Sequence, residues 1–412
     1  MTSSPYSRRT VFQVGAASLA GLAGAAAGLP APAPASDNDL FVRSSYFLEP
    51  GLIYLNTGSL GPTSKAVFNQ TMETWTALEA NPVRNSYGDG AVLAEADAVR
   101  GRAAALLGCA ADDILITRGT SEGMSLIAQS LRLSPGDRVL ATDQEHGGGS
   151  VGWEHRARRD GVVLDRIVIA PDEHDGDAIV RRFAAALTPA TRVISFSHVI
   201  TSTGLRMPVA EISALARTHG ALCIVDGAQA VGSIPVDVRA LGCHVYATSG
   251  HKWLMGPKGT GLLYISPEAA EALAPPQWEL SRRYVSDSTG MGALPSVVGL
   301  GAAIDALQAI GMVEVERRIV ALRDRAYEAM MQIPGLRVMG PPPGPLATAL
   351  VAGLLPQRID SAELRTNLRD RHGVVIKMVE KRWFNGVRLS PHLFNTEADI
   401  DAAVQALRIE LA

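Results

Sequence analysis

The run Ile224-Val225-Asp226-Gly227-Ala228-Gln229-Ala230-Val231-Gly232, followed by Thr248-Ser249-Gly250-His251-Lys252-Trp253, decides how this sequence folds. The first opens on an apolar pair that runs into Asp226 and Gly227, and the second follows the run at 245–248 with Ser249 and Gly250, in both cases the pattern of a buried strand emptying into a turn. Working outward, similar β-branched runs occur at 114–117, 138–142, 164–169, 192–197, 222–226, 245–248 and 261–265. Amphipathic stretches lie between them, such as 121–131 and 209–218, the second ending at His219-Gly220 like a glycine-capped helix. Strand–helix alternation at this spacing predicts an α/β fold whose large domain carries a mainly parallel seven-stranded sheet covered on both faces. Helices dominate 301–332, and strand-like pieces follow at 337–339, 374–378 and 386–389, with a Pro-rich turn at 340–345. A last helix opens at Thr396, with Asp399 three residues on as a capping box. These pieces predict a smaller C-terminal α+β domain.

The chain has 412 residues, more than one typical core, so two domains are expected. Lys and Arg number 38 against 41 Asp and Glu, a net charge of −3 that gives no reason to expect nucleic acid as a partner. Hydrophobic residues at 47% and charged residues at 19% exclude a disordered or fibrous chain. Cys109, Cys223 and Cys243 are too few and too scattered for a disulfide framework or a cysteine zinc site, and no metal is expected.

The start of the chain differs in kind. Ser7-Arg8-Arg9-Thr10-Val11-Phe12 precedes an uncharged Gly/Ala-rich stretch at 14–29, then alternating proline and alanine to Ala35. Basic residues, a modest apolar stretch and small residues describe a secretory signal rather than a fold element. The paired arginines make it resemble a twin-arginine signal. The apolar stretch falls short of the roughly 20 strongly apolar residues a membrane span needs, so no stable membrane anchor is expected. The expected organisation is therefore a signal peptide at 1–35, an N-terminal arm at 36–60, a large cofactor-binding domain at 61–300 and a small domain at 301–412. Export in a folded state through the twin-arginine translocase, to the periplasm or beyond, follows from that signal.

In open parallel sheets, ligands sit at the carboxyl ends of strands. Asp226 ends one strand and Lys252 follows the end of the next. An acid and a lysine on neighbouring strand ends can serve opposite ends of one bound cofactor. Pyridoxal phosphate needs a lysine amine for its aldehyde and a carboxylate for its pyridinium nitrogen. Taken singly, Asp226 could cap a loop and Lys252 could be a solvated turn residue. Their occurrence together with Gln229 and His251 favours the cofactor.

Asp226-Gly-Ala-Gln229 and Ser249-Gly-His251-Lys252 together resemble the class V aminotransferase group, which includes cysteine desulfurases and isopenicillin N epimerase-like proteins. The resemblance runs from Tyr54-Leu55-Asn56 to Arg388-Leu-Ser-Pro-His-Leu-Phe-Asn395, in four segments that agree in order and spacing. It implies the fold of pyridoxal phosphate-dependent transferases, with Lys252 forming an internal aldimine, Asp226 paired with the ring nitrogen and Gln229 bonded to the ring hydroxyl. His146, in Gln144-Glu-His, would stack on the ring. Ser249, His251, Thr120 and Ser121 would hold the phosphate, the last two at a helix start whose N–H groups and dipole favour anions. Arg388 would clamp the substrate carboxylate, with Asn56 beside the substrate. The resemblance also implies a homodimer with the site at the subunit interface. Many relatives place Gly-Thr before the helix near residue 300 to reach a neighbouring subunit's phosphate, and the closest match here is Gly290-Met291.

The expected activity is chemistry at the Cα of an amino acid, or of an amino-acid unit of a secreted metabolite, of aminotransferase or epimerase type. A pyridoxal phosphate-dependent C–S lyase is the alternative. Relatives that are cysteine desulfurases use a cysteine well after the lysine, whereas all three cysteines here precede Lys252. A remote rival is a serine hydrolase. Gly119-Thr120-Ser121-Glu122-Gly123 fits G-x-S-x-G between a strand and a helix, and Ser121, Asp226 and His251 follow in hydrolase order. That account leaves Gln229 and Lys252 unexplained.

Overall fold

The computed structural model describes residues 39–83, 91–273 and 292–412. The arginine-bearing start of the chain and Gly290-Met291 lie outside the described residues. A two-residue strand, β1 (Ile53–Tyr54), opens the fold, and seven strands follow through the middle of the chain. They are β2 (Ile114–Thr117), β3 (Arg138–Thr142), β4 (Val163–Ile167), β5 (Thr191–Ser197), β6 (Leu222–Asp226), β7 (Val245–Ser249) and β8 (Gly261–Ile265). They form one sheet in the order β2-β8-β7-β6-β5-β3-β4. Neighbours from β4 across to β7 run parallel, while β8 runs antiparallel to both β7 and β2. The sheet is mainly parallel, as the alternation predicts.

Both faces of the central strands are buried, so β6 and β7 read as continuous apolar runs rather than alternating ones. Val139, Val193, Ile224, Val245 and Leu263 build one side of the core with Met124, Ile127 and Trp153 from the flanking helices. Burial of each such side chain stabilises by roughly 1.5–3 kcal/mol. The Trp153 indole keeps its polar end satisfied by donating to Ser195 Oγ at 2.9 Å. Helix Val209–His219 stops at Gly220, which takes the left-handed conformation (φ 76°) that glycine adopts without strain.

The last third of the chain builds a four-stranded antiparallel sheet from β9 (Arg337–Met339), β10 (Val351–Leu354), β12 (Lys377–Met378) and β13 (Gly386–Leu389), in the order β12-β13-β10-β9. Between β10 and β12 lies β11 (Val374–Val375), which leaves that sheet and pairs in parallel with β1. The single strand expected over 374–378 is thus two. Ile376 turns into the core between them, and each half joins a different sheet. The final helix, Glu397–Leu411, begins with the expected Thr396–Asp399 capping box. Helix Leu294–Ile310 is apolar because it is buried on most sides, and among the described residues no single helix is long and apolar enough to cross a membrane.

Candidate active site

A cavity of about 680 Å³ opens at the carboxyl ends of β2, β6 and β7. Of the residues expected there, Thr120, Ser121, His146, Asp226, Gln229, Ser249, His251 and Lys252 all line it. Residues from widely separated segments therefore meet where a parallel sheet presents its ligand. Asn56 and Arg388 are not among the residues that line the cavity. The Asn56 carbonyl closes a turn by accepting from Ser59 N–H at 2.9 Å, and its side-chain oxygen is buried without a partner.

Asp226 is buried at the tip of β6, and its carboxylate accepts from the Ala228 N–H at 2.9 Å. The helix Gly147–Asp160 can lie against it because residue 149 lacks a side chain. A Cβ there would fall 2.7 Å from Asp226 Oδ2, and one on Gly148 would fall 2.1 Å from Ser121 Oγ. His146 caps this helix, its Nδ1 accepting from the Gly148 N–H at 3.0 Å. That bond requires an unprotonated Nδ1, in agreement with burial and the nearby Lys252 charge, which lower the His146 pKa.

Lys252 lies three residues past the end of β7 and lines the cavity. Burial pulls its pKa from 10.5 down to about 8. Asp226 opposes that shift, while the positive charges of Arg388 and Lys377 add to it. The backbone of this turn is pinned from below by the N-terminal segment, where Gly61 N–H donates to His251 O at 2.8 Å. Gly61 comes so close that a Cβ would lie 2.0 Å from Lys252 O.

The Gln229 amide donates to Gly58 O at 2.8 Å and to Thr201 Oγ1 at 3.2 Å, and accepts from the Trp253 indole at 2.8 Å. Trp253 O in turn accepts from His392 Nε2 at 3.0 Å, so the lysine turn, Gln229 and the C-terminal sheet are one bonded unit. Arg388 is fully buried on β13. It donates to Thr201 O and Oγ1, both at 2.8 Å, and to Ser59 Oγ at 3.2 Å, while its Nε has no partner. Among the described residues it forms no ion pair, and burial lowers its pKa to about 10. A buried guanidinium without an anion is costly, so this one is set to receive an anion from outside the chain.

Two residues were not legible as site residues. Thr201, which orients both Gln229 and Arg388, lies in the turn after β5, and its place beyond a strand end was the available signal. Lys377 lines the cavity from β12, a two-residue strand that carries no such signal.

The hydrolase arrangement does not form. Among the described residues no hydrogen bond joins Ser121 to His251 or His251 to Asp226, and His251 Nδ1 is buried without a partner. The cavity fits pyridoxal phosphate instead. At one end helix Thr120–Ser130 begins with no side-chain cap, and Ser249 and the partnerless His251 Nδ1 lie beside it, a polar cradle for a phosphate. Asp226, a buried carboxylate in the same cavity, could pair with a ring nitrogen, and the Lys252 amine that would bind the aldehyde lines the cavity with it.

The comparisons agree. The family model for aminotransferase class V matches residues 53–403. The isopenicillin N epimerase of Amycolatopsis lactamdurans is 31% identical over 389 residues, covering 89% of this chain and 97% of that protein. A probable cysteine desulfurase of Halalkalibacterium halodurans is 30% identical over 316 residues, 72% of this chain and 77% of that protein. The apo cysteine desulfurase of Thermococcus onnurineus NA1 shares the fold, with a TM-score of 0.79 at 24% identity, covering 90% of this chain and 97% of that one. A match along most of the chain, joined to a cavity that fits the cofactor at both ends, leads to one conclusion: the chain belongs to the class V aminotransferase family of pyridoxal phosphate enzymes.

Proposed function

We propose that this protein is an exported enzyme that moves the Cα proton of an amino acid or of an amino-acid unit in a larger metabolite, as an epimerase or an aminotransferase. The observation that carries this reading is that Lys252, its pKa brought by burial to about 8, lines the same cavity as Asp226. Pyridoxal phosphate supplies an electron sink for the pair left at Cα when a bond there breaks. Lys252 is the base that takes and returns the proton, and a pKa near neutrality suits that task. Arg388 fixes the substrate carboxylate, His146 covers one face of the ring, and Gln229 and Thr201 keep Arg388 in place. Return of the proton by Lys252 to the face it left restores the substrate; epimerisation would need a donor on the other face of Cα, and transamination would need Lys252 to deliver its proton away from Cα.

The cysteines argue against persulfide chemistry on the protein. None lines the cavity. Burial raises the Cys109 and Cys223 thiols to about 12 and pushes Cys243 up as well, so none is a ready thiolate. Deuterium wash-in at Cα, measured with the purified enzyme in heavy water over a panel of amino acids, tests the reading. Sulfide release from cysteine with a persulfide mapped to one of the three thiols would overturn it. Lys252→Ala should abolish both the yellow absorbance of the loaded protein and the borohydride-stable attachment of the cofactor to the peptide that carries residue 252.

The working form is proposed to be a homodimer. Supporting this, Phe68, Met72 and Trp75 stand exposed at helical spacing on helix Lys65–Ala80, and Phe47 packs edge-on against Phe68 with centroids 5.1 Å apart. Light scattering that finds an active monomer would refute this. Export through the twin-arginine translocase to the periplasm or beyond rests on Arg8 and Arg9. Replacing both with lysine should hold the precursor inside the cell.

A further inference from the structure

Strands β12 and β13 pair antiparallel, and in their register Lys377 stands directly opposite Arg388. Like charges facing each other across a strand pair repel, so such a pair is unfavourable unless an anion sits with it. Among the described residues no acid forms an ion pair with either cation. Lys377 makes no hydrogen bond or ion pair among the described residues, and Arg388 makes no ion pair. Glu380, three residues along the chain, acts on Lys377 only through its charge, since its carboxylate is bonded to Arg382, whose Nε donates to it at 2.9 Å. The residues at the phosphate end, Thr120, Ser249 and His251, come from the ends of β2 and β7 in the large sheet, whereas Lys377 enters the cavity wall from β12 in the other sheet. The two cations are also not equivalent. Arg388 is locked by Thr201 and Ser59 in one orientation, suited to a planar carboxylate held the same way every time. Lys377 is a point charge on a flexible stem and stands in the cavity wall itself.

Resting on the proposed Cα chemistry, which gives Arg388 the α-carboxylate, we infer that Lys377 binds a second anionic group on the substrate. The substrate class is then an amino acid, or amino-acid unit, whose side chain ends in a carboxylate or a similar anion. Lys377 is a specificity-determining residue that selects this class over neutral side chains.

Calorimetry on the pyridoxal phosphate-loaded enzyme with succinate, glutarate and butyrate reads this directly. These acids carry no amine, so their binding does not depend on any step at Cα. At least one dicarboxylate should bind ten-fold or more tightly than butyrate. Lys377→Met should erase that difference while leaving butyrate within about two-fold, and Lys377→Arg should preserve it. Equal dissociation constants in the wild-type protein would overturn the inference. So would an equal weakening of butyrate and dicarboxylates in Lys377→Met, which would make Lys377 part of the α-carboxylate clamp. Failure of the broader reading shows separately, as missing cofactor absorbance or absent deuterium exchange at Cα.

Discussion

The Ser249 hydroxyl accepts from the Thr120 N–H at 3.0 Å and lies 2.8 Å from the Thr120 hydroxyl, tying the end of β7 to the first turn of the helix after β2. The residues proposed to cradle the phosphate are thereby fixed to each other before any ligand arrives, so an anion entering there would meet donors already oriented. Ser249→Ala should remove both this tie and one phosphate partner. The cofactor dissociation constant, followed by absorbance during dialysis, should rise about ten-fold, as expected for loss of one hydrogen bond to a charged group.

Lys252 should react with trinitrobenzenesulfonate in the cofactor-free protein with a midpoint at about pH 8, against 10.5 for an ordinary lysine. The neighbours set the direction of further change. Lys377→Met removes a positive charge and should raise the midpoint. Asp226→Asn removes the negative charge that favours the ammonium, and should lower it. A midpoint that ignores both variants would mean the three groups do not share one cavity.

Arg388→Ala should weaken carboxylate substrates by about 2–5 kcal/mol and leave a simple amine unaffected. Arg388→Lys should recover only part of the loss, because an ammonium cannot reproduce the two-pronged contact. Comparing dissociation constants for alanine and ethylamine separates the cases. An equal loss for both would assign Arg388 a structural role, through Thr201 and Ser59.

Glu145 precedes His146 and is buried behind Asp226, where it accepts from the Thr142 hydroxyl at 2.6 Å and the Ser197 hydroxyl at 2.7 Å. Burial, with some help from the Asp226 charge, raises its pKa from 4.5 to about 7. A raised folded-state pKa means the native protein holds this proton more firmly than the unfolded chain does. The stability it contributes is complete below about pH 4.5 and is lost as pH climbs through about 7. The swing is on the order of 3 kcal/mol. Denaturant titrations of Glu145→Gln should show a flatter decline across that window than the wild-type protein.

Fold and site were legible in the sequence to different depths. All seven strands of the large sheet announce themselves, because strands buried on both faces must be unbroken apolar runs and the turns after them must be polar or glycine. The same logic exposes Asp226 and Lys252 as strand-end residues. It fails for β10, where Gly353 interrupts the run because its Cβ would lie 2.7 Å from the Leu336 side chain. It fails for Lys377 too, since the meaning of that residue comes from the Arg388 opposite it and nothing local records a register. Asn56 was expected beside the substrate on motif position alone. In the folded chain its carbonyl shapes the turn that delivers Gly58 and Ser59 to the site.

The parallel pairing of β1 with β11 joins Ile53 to Val374, and the cavity takes Gly58 from beside the first strand and leans on Arg388 from the last. A chain emerging from the ribosome presents these two ends far apart in time. Until β11 has been made, β1 has no strand to pair with, and until β13 has been made, Thr201 has no Arg388 to bond. The site is accordingly among the last parts of the fold to close: its walls from β2, β6 and β7 can form earlier, but the brace that joins them to the start of the chain comes from strands made long afterwards.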